Sequence, residues 1–253
     1  RVLQHRQFSV AARLTFVSGI GMFTSVYLTP VFAQRILGFP PFQTGMLLLP
    51  GAILAIFSLM LSAILLKRGV PPHLVILMGF GFFICFSWMM SHMNTLASPS
   101  DFFAPLIFRA VGLALVTVPL TSLAVSGLAS QDIPQGAAIT PLLRQLGGTF
   151  GIAMLNTYIH NRMSIHRSDL VSNITDYNPV AVNNINNITS YFLSKGFNWQ
   201  EAHMKALQLI DLKVSKQTAA LSYLDAYLAG GLVFLIALPL LLLVLKRNKK
   251  TAP

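Results

Sequence analysis

Acidic side chains are scarce in this chain: its 253 residues hold 7 Asp and Glu together against 18 Lys and Arg, and charged residues make up only 10%. A soluble domain carries roughly a quarter, so most of this chain cannot present a wetted surface. No Asp or Glu falls inside the first five long apolar stretches, and His5, His73, His92, His160, His166 and His203 lie in or beside connections or at stretch ends. That leaves no acid/base pair and no metal-ligand cluster in the apolar parts. The one cysteine, Cys85, excludes a disulfide framework and a thiolate metal site, and reads as a small core residue. No phosphate-cradling loop or nucleophile elbow occurs, since Gly147-Gly148-Thr149-Phe150-Gly151 follows no strand. Enzyme chemistry is excluded, and neither a metal nor a cofactor is expected.

What the chain has in abundance is apolar length. Hydrophobic residues make up 54%, and six stretches, 11–36, 44–67, 73–93, 102–128, 135–160 and 222–246, reach bilayer-crossing length, which is about 20 residues at ~1.5 Å each. Only helices or closed barrels satisfy their backbone hydrogen bonds in lipid, and runs this long without alternation are not barrel strands. The expected fold is an all-α membrane protein, a six-transmembrane-helix bundle in contact with the lipid bilayer.

A net charge of +11 suggests nucleic acid in a soluble chain. Here the charges report topology. With the chain start inside, Arg1, Arg6, Arg13, Lys67, Arg68, Lys246, Arg247, Lys249 and Lys250 share the cytoplasmic side, whereas connections 37–43 and 94–101 have no Lys or Arg. Arg35 alone sits at an outer helix end. This is the positive-inside pattern, placing 1–10 and 247–253 in the cytoplasm of a multi-pass protein and excluding a nucleic-acid partner. Because Arg1 to Gln7 reads as an interhelical connection, the chain is expected to be a piece of a longer one.

The polar region 161–221 then faces outside. Asn198 and Glu201 have capping-box spacing, and Leu207, Ile210, Val214 and Leu221 recur at helical intervals, predicting an amphipathic helix from about 199 into the last span. Asp176–Asn187, with Pro179 and five asparagines, reads as loop.

Thr15, Ser18, Met22, Ser25 and Thr29 are spaced to share one helix face. Two readings stay open: the wall of a substrate cavity, or hydroxyls bonded to a neighbouring helix or their own backbone. The fifth span repeats the theme with Gln145, Thr149, Asn156 and His160. Pro30, Pro50, Pro119, Pro141 and Pro239 fall inside spans; Pro119 and Pro141 are candidate hinges, and Gly147, Gly148 and Gly151 form a small-residue packing face. Arg109 and Arg144 lie about 10–14 Å inside their helices, where a charge either faces the bundle interior or snorkels to the interface. Asp225, about a turn into the last span, matches Arg109 in depth, and either pairs with it or sits at the wet interface, where the helix dipole favours it.

Three motifs carry a family resemblance. Leu37-Gly38-Phe39-Pro40-Pro41-Phe42-Gln43-Thr44-Gly45 through Leu49-Pro50-Gly51, Phe108-Arg109-Ala110-Val111-Gly112-Leu113 through Pro119-Leu120, and Leu143-Arg144-Gln145-Leu146-Gly147-Gly148-Thr149-Phe150-Gly151 resemble, in order and spacing, the fourteen-helix drug:proton antiporters of the major facilitator superfamily, EmrB/QacA type. One departure is Ala63 to Gly69, which keeps Lys67 and Arg68 of a family turn but not its acid.

The resemblance implies that these six spans are the C-terminal half of that fold and that the N-terminal half is a missing partner. It implies alternating access driven by protons, exporting small amphiphilic substrates across the inner membrane. Thr15, Ser18, Met22, Ser25 and Gln145 would line this half's cavity, and Arg144 would fix the geometry of its helix or join a proton-linked network; read from depth rather than resemblance, Arg109 and Asp225 complete the candidate charge network. In a cell with two membranes a periplasmic adaptor and an outer-membrane channel would complete the path. Two alternatives stand beside this: an exporter of one metabolite, and a membrane scaffold or sensor on the same fold.

Overall fold

Proline pairs start two of the helices. In a computed structural model, which describes residues 6–126, 128–175 and 177–248 with side chains over 8–239 of them, α1 (Arg6–Arg35) turns into α2 (Pro41–Lys67) through Gly38-Phe39-Pro40-Pro41. α2 turns into α3 (Pro72–Ser91) through the same pattern, Gly69-Val70-Pro71-Pro72. Both glycines have positive φ, 77° and 82°, a conformation that a Cβ disfavours. The second proline of each pair occupies the first turn, where its missing N–H costs no hydrogen bond. A 3-10 turn (Pro99–Phe102) leads into α4 (Phe103–Ser126), followed by α5 (Ile133–Ser172), α6 (Pro179–Ser194) and α7 (Trp199–Asn248).

Among the described residues, five helical segments are long and apolar enough to cross a membrane: Phe8–Arg35, Pro41–Lys67, Pro72–Ser91, Pro99–Ser126 and Trp199–Pro239. α5 has the length, but Arg144, Gln145, Thr149 and Asn156 dilute its apolar character. Contacts divide the chain into two units, Arg1–Asn156 with Ala226–Pro253, and Thr157–Asp225.

The larger unit turns its bulk outward. α2 buries Thr44, Leu47, Gly51, Ser58 and Ser62 and exposes Met46, Ile53, Phe57 and Met60. Lipid takes the large apolar side chains, and small residues let helices approach. α3 and α4 cross at Gly79 and Gly112, where a Cβ on either glycine would come within 2.7–2.8 Å of the other's carbonyl oxygen. An aromatic seam fills the interior: Phe83 stacks on Phe234 with centroids 4.2 Å apart, and Tyr227 meets Phe86 and Phe32 edge-on. Cys85 belongs to the outward face and is exposed, against the expectation of a core residue. Its neighbours Phe83 and Phe86 take the inner face of α3.

In the smaller unit, the segment expected as loop over 176–187 is helical from Pro179, where α6 begins. Asn178 caps it, its side chain accepting from the Val180 N–H at 3.1 Å, and Gly196, with φ 90°, follows its end. The asparagines that suggest loop are tolerated because Val182, Ile185, Ile188 and Phe192 keep helical spacing. Asn198 accepts from the Glu201 N–H at 2.8 Å, and α7 starts at Trp199.

Candidate functional site at the α1 helix

The polar stripe of α1 is buried, and it bonds largely to itself. Ser18 Oγ donates to the Thr15 carbonyl at 2.8 Å, Ser25 Oγ to Met22 at 3.0 Å, and Thr29 Oγ1 to Ser25 at 2.8 Å. Such back-bonding lets a hydroxyl sit inside an apolar bundle. Tyr227 Oη adds a donor to Thr29 Oγ1 at 3.4 Å. Thr15 Oγ1 is buried with no hydrogen-bond partner among the described residues. Met22, by contrast, is 37% exposed.

Both arginines inside the spans are seated on this helix. Arg109 of α4 reaches across, its Nη1 donating to the Ser25 carbonyl at 3.2 Å. Arg144 is held by its backbone. A Cβ on Gly19 would collide with the Arg144 carbonyl oxygen, and one on Gly147 with that of Phe16. Gly151 lies against Ile20, 2.9 Å from a would-be Cβ, and Gly148 against the Phe23 ring. The small-residue face of α5 thus packs on α1, with Gly19 as its counterpart. Gly19-Ile20 was the signal in the sequence for this crossing.

The Arg144 side chain is less settled than its backbone. Its Nε is buried without a partner, and the guanidinium forms no ion pair or hydrogen bond among the described residues. A central arginine costs about 2.5–3.5 kcal/mol on insertion scales. Next to it Gln145 and Thr149 are exposed, and with Asn156 they recur at four and seven residues along α5. Thr149 Oγ1 bonds back to the Leu146 carbonyl at 3.1 Å, and Asn156 Oδ1 accepts from Tyr27 Oη at 3.2 Å; Gln145 has no such bond. Beside this polar line runs an apolar one, Leu142, Leu146, Phe150 and Met154, each more than half exposed.

A cleft bordered by Ser25, Phe83, Phe86, Ser87 and Tyr227 holds about 10 Å³, enough for roughly one water. Pro119 is buried and Pro141 exposed, and both sit in helices that continue through them.

Asp225 is paired within its own unit. In the smaller unit its Oδ2 accepts from Arg162 Nε at 2.6 Å and from His166 Nε2 at 2.7 Å. The hydrogen bond to Asp225 holds the Arg162 guanidinium above its ordinary pKa. Arg167 adds a second tie, to Asp211 at 2.6 Å and Ser215 at 2.8 Å. Depth alone had singled out Arg109. Arg162 and His166 lie four residues apart on α5, so one helix face presents both to the carboxylate.

Large apolar side chains outside and serines, threonines and glycines inside define a multi-pass helical membrane protein. A sequence model of the Major Facilitator Superfamily matches residues 1–152, and the chain belongs to that family of transporters. It is similar to the colistin resistance protein EmrB of Acinetobacter baumannii, 23% identical over 98% of this chain and 48% of the relative. The uncharacterized MFS-type transporter YhcA of Bacillus subtilis is 24% identical over 94% of this chain and 46% of the relative. The probable multidrug resistance protein EmrY of Escherichia coli is 22% identical over 90% and 42%. The chain therefore spans less than half the length of these relatives.

Proposed function

We propose that this chain acts as the C-terminal six-helix half of a proton-driven exporter of amphiphilic compounds, working by alternating access in the cytoplasmic membrane with both ends of the segment inside. The observation that carries the reading is the outward polar line on α5, Gln145 and Thr149 beside Arg144. Polar groups at membrane depth normally face a water-filled cavity or a protein partner. The cavity forms against a second bundle, between Met22 on α1 and Gln145 on α5, as in transporters whose site lies between two repeats. Alternating large apolar and polar groups on that wall suit loosely specific amphiphiles. α5 is the fifth crossing, its low apolarity explained by the cavity it lines. The three relatives match over 42–48% of their lengths, the share expected of one half, and two carry names of drug resistance. A periplasmic adaptor and outer-membrane channel would extend the route where a second membrane exists.

The test is reconstitution of the complete transporter in proteoliposomes. An imposed proton gradient is expected to drive countermovement of an amphiphilic dye, abolished by a protonophore. Movement indifferent to the gradient overturns proton coupling.

A further inference from the structure

We infer that His166, held on Asp225, is a proton-binding site of this transporter, loaded from the extracytoplasmic side. The inference rests on the topology and transport proposed above, and adds where in this half a proton is held. Among the described residues Asp225 is the one acid bonded to a histidine, its Oδ2 meeting His166 Nε2 at 2.7 Å. Arg162 Nε donates to the same oxygen at 2.6 Å. The cluster is neither sealed nor fully wet: the His166 side chain keeps 17% of its exposure and Asp225 28%. Water reaches the ring, and the contact between α5 and α7 survives it.

Histidine is the side chain whose charge ordinarily changes between about pH 5 and 8. An ionised carboxylate can only accept hydrogen bonds, so Asp225 fixes Nε2 as the nitrogen that carries hydrogen in the neutral ring. That leaves Nδ1, which has no partner among the described residues, as the basic nitrogen. A proton arriving at Nδ1 makes the imidazolium without breaking a bond, and the hydrogen bond to Asp225 becomes an ion pair. Arg162 is a permanent cation and keeps the carboxylate ionised in both states, so the proton goes to the ring rather than to the acid. One turn from His166 on the same helix face, it also opposes a second positive charge, which lets the proton leave again. Asp169 and Tyr158 on α5 act on Arg162 in turn. Arg167 is turned to Asp211 of α7, and α6 carries no charged residue. α5 is one helix from Ile133 to Ser172, so the helix that presents Gln145 and Thr149 also carries the proton site.

The test titrates the complete transporter in nanodiscs, its histidine rings labelled with nitrogen-15, across about pH 5 to 8 by NMR. His166→Gln identifies the His166 signals by their absence. The expected result is an Nε2 that keeps its hydrogen throughout and an Nδ1 that gains one within the range, with proton affinity about ten-fold lower or more in Asp225→Asn. In proteoliposomes, transport should depend on the pH at the extracytoplasmic face, and His166→Gln should flatten that dependence while leaving the response to pH at the cytoplasmic face. A His166 ring that holds one charge state across the range overturns the inference. So does a wild-type extracytoplasmic pH profile in His166→Gln, and so does a variant equally slowed at every pH and less stable to heat, since that is a structural tie. Where His166→Gln does not fold, Asp225→Asn takes its place: the histidine signal that moves in it is His166, and no moving signal overturns the inference. A ring that titrates as expected while amphiphile movement ignores the proton gradient would overturn the proposed function and leave the proton-binding site standing.

Discussion

Gly19 of α1 and Arg144 of α5 meet backbone to backbone, so closely that any side chain on Gly19 would occupy the place of the Arg144 carbonyl oxygen. Gly147 makes the reciprocal approach to the Phe16 carbonyl. The crossing sets where the Arg144 side chain begins, and so joins a packing requirement to the candidate site.

Substituting these glycines with alanine should therefore destabilise the protein although alanine is the better helix former. Overpacking costs about 1–3 kcal/mol, against a helix-propensity gain of about 1 kcal/mol. Gly19→Ala and Gly147→Ala should lower the unfolding temperature in detergent. Gly81→Ala, where a Cβ meets nothing within 4 Å, should hold or raise it. Equal effects at all three positions would show that the close approach is not a constraint.

Arg109 and Asp225 should behave as independent residues. Arg109 bonds the Ser25 carbonyl and Asp225 bonds Arg162 and His166. Losing the charged hydrogen bond in Arg109→Ala should cost about 1.5–3 kcal/mol, with Arg109→Lys retaining part of it. The Asp225→Ala effect should add to the Arg109→Ala effect in the double variant, and exchanging the two residues should rescue nothing. Rescue by the exchange would establish the pairing that depth alone suggests.

The Asp225 cluster should couple modestly. Arg162 and Asp225 side chains keep 33% and 28% of their exposure, so solvent screening limits a double-mutant coupling to about 1 kcal/mol. The sign of the pH effect follows from the raised pKa of Arg162. Its contribution is fully present below the ordinary guanidinium value and is lost only above it. Stability from this pair should accordingly be flat across neutral pH, and a steep change in the Arg162–Asp225 coupling between pH 6 and 8 would contradict it.

The proposed topology is open to thiol labelling. In a Cys85→Ser background, a cysteine at Asn184 should react with an impermeant reagent in whole cells and one at Asn248 should be protected. The reverse pattern would invert the protein. Cys85 has to be removed first because its side chain is exposed.

Several features were open to a reader of the sequence because each depends on neighbours along the chain. Asn198 and Glu201 stand three residues apart, and the cap they form is the one their spacing predicts. The α6 helix was hidden for a related reason. Its asparagines carry a loop signal, and Asn178 before Pro179, a cap followed by a first-turn proline, outweighs it. Cys85 was misread because a stretch apolar on all sides does not reveal which face looks inward.

Taken alone, the sequence determined that this protein crosses a membrane as helices, because apolar length and the scarcity of acidic residues are properties of composition. It also determined where α2 and α3 begin, since Gly38 with Pro40-Pro41 and Gly69 with Pro71-Pro72 restrict backbone angles locally. Tertiary structure alone decided the partners. Arg162 and Asp225 are 63 residues apart, Arg109 and Ser25 84. Which donor reaches which acceptor depends on the angle and rotation at which helices cross, and glycines such as Gly19 and Gly147 set these only once the two helices are in contact.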